Sequence, residues 1–172
     1  MLKNQPHFLR WGFFMEYKRL STEQFEALHQ EFATFLAANS IDKKEWDQIK
    51  INKIKKAESL LDAFSDLVWS DVLGKNIFLE HLNPHHLFLF ECLEEQINLV
   101  LVKSDDQSID FTSTEGFEWL ETNLLSDTIS LFQSQKKYTN RKHDIFDLIQ
   151  KGACITEGAH FKSITSFLSN PT

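Results

Sequence analysis

Two β-rich runs separated by a hairpin-length turn constrain this chain more than any other feature. Residues 86–92 and 97–103 are dense in Leu, Phe, Val and Ile, and only a Leu-Glu-Glu-Gln segment lies between them. Side chains of a strand alternate between the faces of its sheet, so a strand with one solvated face shows apolar residues at every second position. Here both alternating sets are apolar: Leu87 and Leu89 on one face, Phe88 and Phe90 on the other. Leu99 and Leu101 alternate with Val100 and Val102 in the same way. The sheet must therefore be covered on both sides or continue into a second copy. A lone hairpin is marginal in water, so other elements have to complete it. Residues 77–79 offer a short strand, followed by a turn at Asn83-Pro84.

The segments on either side read as helices. Ser21 with Gln24 forms a capping box, in which the hydroxyl accepts a free backbone N–H and the amide side chain answers. Phe25, Leu28, His29, Phe32, Phe35 and Leu36 follow at three- and four-residue spacing, which predicts one amphipathic helix to about Ala38. Asp42 with Glu45 starts a second helix carrying Trp46 and Ile49, with a break near Asn52. A third runs from about Ile54 through Leu60, Phe64 and Val68, with Gly74 placed as its left-handed stop. After the hairpin, Ser113 or Thr114 caps a helix holding Phe117, Trp119 and Leu120, and Ser126 one holding Ile129 and Phe132. Residues 144–152 read as a helix with a glycine stop, and Thr156 as the cap of a last helix through Phe161 and Phe167. Cys154 reads as a small apolar residue packed in the turn between those two helices. The expected class is α+β: a helix-rich single domain over residues 15–170, with a small antiparallel sheet (hairpin about 86–103) flanked by N- and C-terminal helices.

Composition narrows the functional classes. The chain has 172 residues, 18 Lys+Arg, 25 Asp+Glu and a formal charge of −7. The charge is segregated, since residues 61–132 hold 14 acidic and only 2 basic side chains. An acidic centre of this kind repels phosphate, which argues against nucleic acid and against anionic membranes as partners. No apolar run is long enough for a membrane-spanning helix. Two cysteines, Cys92 and Cys154, are too few for a disulfide framework, so a reduced cytoplasmic protein is expected. The first residues carry Lys3 and Arg10, but Arg10 interrupts the apolar stretch and no cleavage site follows, so a signal peptide is rejected. Met15 directly precedes the first strong helix start, and residues 1–14 are read as an extension that is not native.

The densest set of ligand-type side chains is His81, His85 and His86, with Glu91 and Cys92 close by. Imidazole, carboxylate and thiolate are the donors zinc takes. His81, His85, His86 and Glu91 are thus the candidate metal ligands, and a small metal-dependent hydrolase is the alternative function. Asn83 and Pro84 break the helix that the four-residue spacing of His81 and His85 would need, and no Glu follows His81 as in HExxH. His143, Asp144, Cys154 and His160 invite a Cys-His nucleophile model, although adjacent residues on a helix diverge. The lysines at 43, 44, 50, 53, 55 and 56 read as the solvated face of two helices, with Trp46 in the core. P-loop, GxGxxG, GxSxG and kinase signatures are missing, and no cofactor is expected.

At Glu16-Tyr17-Lys18-Arg19-Leu20, at residues 64–69 (Phe-Ser-Asp-Leu-Val-Trp) and at residues 144–150 (Asp-Ile-Phe-Asp-Leu-Ile-Gln), the chain resembles a family of small Bacteroidota proteins catalogued as a domain of unknown function. The resemblance spans about residues 15–168 and carries no activity and no catalytic residue. The expected function is a non-enzymatic protein-interaction domain, with a protein partner or a second copy as ligand. Trp69 and Trp119 are its candidate exposed contacts.

Overall fold

The computed structural model describes residues 15–169, so the N-terminal extension lies outside the described residues. Among the described residues there are seven helices and five strands: α1 (Thr22–Ala27), α2 (His29–Ala38), α3 (Lys43–Asn52), α4 (Ile54–Lys75), β1 (Phe78–Asn83), β2 (His86–Cys92), β3 (Gln96–Ser104), α5 (Thr114–Thr122), β4 (Ile129–Lys137), α6 (Arg141–Gln150), β5 (Cys154–Thr156) and α7 (Ala159–Ser169). The class is α+β. The chain divides into two compact units, with the boundary after Val72, inside α4.

In the first unit the caps form as read. Gln24 N–H donates to Ser21 Oγ (3.3 Å) and Ser21 N–H to Gln24 Oε1 (2.8 Å), and Glu45 N–H donates to Asp42 Oδ1 (2.7 Å). The single helix expected up to Ala38 is instead two, because Leu28 leaves helical geometry at φ −102° and ψ 25° and separates α1 from α2. Leu36, Ile41, Ile49, Ala57 and Leu60 form the buried core, with Phe32, Phe35 and Trp46 against it. Phe32 meets Trp46 and Phe64 edge-on at 5.3 and 5.1 Å between ring centroids, an arrangement that matches positive ring edges to negative faces.

The segment before α1 has no regular structure and is clasped along α4 by side chains. Both oxygens of Asp66 are used: Glu16 N–H donates to Oδ2 (2.8 Å) and Tyr17 N–H to Oδ1 (3.0 Å). Ser65 Oγ accepts from Leu20 N–H (3.1 Å) and donates to Leu61 O (2.7 Å). Trp69 Nε1 donates to Lys18 O (2.9 Å), and Arg19 pairs with Asp62 (2.6 Å). These side chains satisfy backbone groups that have no ladder or helix to join.

The second unit is built on one antiparallel sheet of order β4-β3-β2-β1-β5. One face presents Leu87 and Leu89 from β2, paired with Val102 and Val100 of β3. Phe111, Leu120 of α5, and Phe161 and Ile164 of α7 bury these into a single core. The other face carries Phe90, Ile97 and Leu99, bordered by Leu148 of α6, whose Ile145 is fully buried. Both faces of the hairpin are thus used, as its double alternation requires.

Three local readings are corrected. Gly74 does not stop α4 in a left-handed conformation; the helix runs through it to Lys75. Its last carbonyls are taken by Arg141, whose guanidinium donates to Leu73 O (Nη1, 2.7 Å), Gly74 O (Nη1, 3.5 Å), Asn76 O (Nη2, 2.7 Å), Cys92 O (Nη2, 3.0 Å) and Leu93 O (Nε, 2.8 Å). Residues 129–137 are not a helix but strand β4, paired with β3 along its full length. Cys154 lies on β5, exposed, rather than packed in a helix–helix turn. Gly152 does close α6, at φ +103°.

Candidate functional site

The histidine cluster is dispersed by strand geometry. His81 and His86 share a face, as partners of Phe88 and Asn83 across β1 and β2. His85 sits in the turn, its Nδ1 3.0 Å from Ile109 O, while His86 Nδ1 lies 3.2 Å from Asn83 Oδ1. Glu91 is five residues beyond His86 on the same strand. An odd separation puts its carboxylate on the opposite face, and the rise of about 3.3 Å per residue places it roughly 16 Å away. There it accepts from Asn98 Nδ2 (2.9 Å). Among the described residues no group of three or more His, Cys, Asp or Glu is placed to hold a metal ion. Proximity in sequence therefore did not become convergence, and the hydrolase alternative is not favoured.

Both candidate tryptophans are half-buried. Trp69 donates to Lys18 O in the clasp, and Trp119 packs against the core of the second unit. Of the nucleophile set, His143 is on α6 and Cys154 on β5. His160, on α7, has its Nδ1 2.9 Å from Glu80 Oε2, and Glu80 Oε1 accepts from Thr156 Oγ1 (3.3 Å). Both carboxylate oxygens are thus spent joining β1, β5 and α7.

The thiols differ in kind. Burial pushes the Cys92 thiol up to about 11, whereas Cys154 is exposed. The thiolate is the reactive form, so iodoacetamide at pH 8 is expected to add one group per native chain, at Cys154. A second adduct on the native protein would contradict the burial of Cys92. Because burial favours the protonated thiol in the fold, its contribution to stability is intact below the ordinary thiol value and declines as pH rises through about 11.

Among the described residues, what remains open in the sheet is its β4 edge. At the other end stands β5, only three residues long, whereas β4 has nine and residues 132–137 are exposed. The register with β3 tells which main-chain groups face out. Asp105 N–H donates to Thr128 O (2.9 Å) and Tyr138 N–H to Glu95 O (3.2 Å), one just beyond each end of the ladder. Hydrogen-bonded pairs alternate in an antiparallel ladder, so even-numbered residues of β4 bond to β3. Leu131, Gln133, Gln135 and Lys137 turn their N–H and C=O groups outward.

A groove lies on each face beside this edge. On the α7 side a groove of about 540 Å³ is lined by Glu91, Asn98, Val100, Gln133, Gln135 and Thr165. On the α6 side one of about 300 Å³ is lined by Phe90, Ile97, Leu99, Lys136, Leu148 and Lys151. The first is rich in amides, and the second is an apolar floor rimmed by Lys136 and Lys151 and by Asp144 and Asp147. Sequence reasoning missed this edge because it took residues 129–132 for a helix. The available signal was slight: a charge-free run from Ile129 to Gln135 that ends in Lys136 and Lys137. A terminal pair of lysines is a common guard on an exposed edge strand.

Among the described residues no helix is long and apolar enough to cross a membrane. No curated protein and no solved structure matches the chain. Over residues 15–169, from the clasped segment through α7, it matches the model of a family of unknown function, DUF6495, and the chain belongs to that family.

Proposed function

We propose that this chain is a non-enzymatic protein-interaction module that takes up an extended polypeptide segment as an added strand along β4. The observation that carries the reading is the nine-residue edge strand with outward main-chain groups and a groove on each face. Strand addition draws affinity from main-chain hydrogen bonds and specificity from pockets that receive alternate side chains. An incoming strand would send successive side chains to opposite faces, one set toward the amide-lined groove and the other toward the Leu99 and Lys136 groove. The free thiols of Cys92 and Cys154 suit a reducing compartment such as the cytoplasm.

The test is to select binders from a library of short random peptides and to titrate the strongest into isotope-labelled protein. Amide signals of Leu131, Gln133, Gln135 and Lys137 should shift more than those of Ser130, Phe132 and Ser134, whose N–H groups are already bonded to β3. Binders whose shifts map away from β4, or a library that yields none, would overturn the reading.

A further inference from the structure

We infer that the bend between α3 and α4 is a separate docking surface, one that receives a short acidic polypeptide segment with apolar residues among its carboxylates. It lies in the first unit and does not rest on the strand-addition reading.

Two isoleucines carry the apolar part. Ile51 is 71% and Ile54 63% exposed, whereas Ile49, on the same helix as Ile51, is 2% exposed and belongs to the core. Every residue from Lys50 to Lys56 is exposed, so both side chains stand in water at the bend. Removing such a side chain from water is favourable, and the fold leaves that gain to be made by contact with something else.

Lysines supply the charge. Residues 48–57 hold Lys50, Lys53, Lys55 and Lys56 and no acidic side chain. Lys50 is engaged, paired with Asp47 (2.8 Å) and 5.9 Å from the centre of the Trp46 ring. Among the described residues, Lys53, Lys55 and Lys56 pair with no carboxylate. Lys55 and Lys56 stand in the first turn of α4, which has no acidic residue. A helix N-terminus is the positive end of the dipole, where cations are disfavoured and anions favoured. These lysines therefore add to a positive field that an incoming carboxylate relieves.

The reach of that field decides the occupant. Charges are screened over about 8 Å at physiological ionic strength, so a short segment laid on the bend meets chiefly the lysines. A bilayer or a nucleic-acid duplex is an extended negative surface, and it also meets the rest of a chain whose net charge is −7. Trp46, the aromatic residue of α3, is half-buried with its ring edge-on to Phe32, so it is not free to stack a base. An acidic segment satisfies both parts of the surface: its carboxylates reach the lysines, and apolar side chains between them cover Ile51 and Ile54.

The probe is a short labelled peptide in which single leucines alternate with pairs of glutamates, titrated against the full chain by fluorescence anisotropy. It should bind, and more weakly as salt is raised. The triple variant Lys53→Glu, Lys55→Glu, Lys56→Glu should weaken binding at least about tenfold, and the double variant Ile51→Ser, Ile54→Ser at least about fivefold. All five side chains are exposed, so circular dichroism spectra should stay those of the wild type. In isotope-labelled protein the amide signals of residues 50–56 should shift while those of Leu131, Gln133 and Gln135 stay in place. Failure to bind, indifference to either variant, or equal binding of a peptide with serine in place of leucine would each overturn the inference. So would tighter binding, at the same salt, to duplex DNA or to phosphatidylserine vesicles than to the peptide. Shifts confined to β4 would overturn it too, while supporting strand addition.

Discussion

Arg141→Ala is expected to lower the stability of the second unit by about 3–4 kcal/mol, the largest effect of any side-chain truncation considered. All five N–H donors of the guanidinium go to main-chain carbonyls, at Leu73, Gly74, Asn76, Cys92 and Leu93. Hydrogen bonds from a charged donor contribute roughly 1.5–3 kcal/mol each when measured singly. They share one side chain and are not additive, and Arg141 is only partly buried, so the sum must be discounted heavily. The carbonyls of Leu73 and Gly74 are also the unsatisfied C-terminal groups of α4, where a cation is favoured by the helix dipole. Alanine leaves these carbonyls to water where water can reach and unpaired where it cannot. Arg141→Lys is the sharper probe: an ammonium keeps the charge but lacks the planar fork that spans α4, the β1 entrance and the β2–β3 turn. It should recover less than half of the loss. Urea midpoints at constant m-value measure both variants. A loss below about 0.5 kcal/mol for Arg141→Ala, the range of an ordinary surface change, would mean that water replaces the guanidinium at little cost.

Arg141 also illustrates what a single sequence withholds. Nothing in its neighbourhood distinguishes it from the adjacent Lys142, because its partners lie 48 to 68 residues away. The α4 terminus was assigned to Gly74 for the same reason: a local rule supplied a local stop, while the actual partner of those carbonyls comes from α6. Elements whose signal is local were legible. The caps at Ser21, Asp42 and Ser113 form the bonds their side chains imply, and the doubly apolar runs became β2 and β3 with helices on both faces.

β4 failed as a prediction because its strand character is imposed by β3. Ile129 and Phe132 have helical spacing, and only the open ladder of residues 96–104 decides otherwise. The same dependence hid the candidate site. An edge is defined by which strand is missing beside it, and that is a property of sheet order rather than of any residue. The histidines show the converse, closeness along the chain without convergence among the described residues. Strand alternation puts Glu91 on the face opposite His81 and His86, while His85 stays in the turn with Pro84. The segments that carried the family resemblance prove to be the clasp and α6. Asp66, Ser65 and Trp69 hold the segment of residues 16–20.

Gly116→Ala is the second substitution with a large expected effect, and it acts through backbone contact rather than conformation. Gly116 lies in the first turn of α5, buried, with its N–H bonded to Ser113 Oγ (3.0 Å). A methyl group at this position would be driven into the carbonyl oxygen of Asp110, a main-chain atom that no rotamer change can move. That carbonyl is fixed in turn, since it accepts from Ser113 N–H (3.1 Å) and Ser113 Oγ (2.8 Å). Next to it Phe111 is buried and donates its N–H to Pro84 O (2.8 Å). To make room, α5 must shift, and with it Leu120, or the turn must open and release Phe111. Either costs packing around β2 and β3, where overpacking typically amounts to about 1–3 kcal/mol even when only side chains have to yield. A loss of at least about 3 kcal/mol is therefore expected. Gly74→Ala is the control, because its new methyl would meet only Lys142 Cε, at an ordinary 3.7 Å, inside a helix. There alanine is favoured by up to about 1 kcal/mol, so the two glycine substitutions should move the urea midpoint in opposite directions. If Gly116→Ala left the midpoint where it was, the close approach of the 110–113 turn to α5 would be wrong.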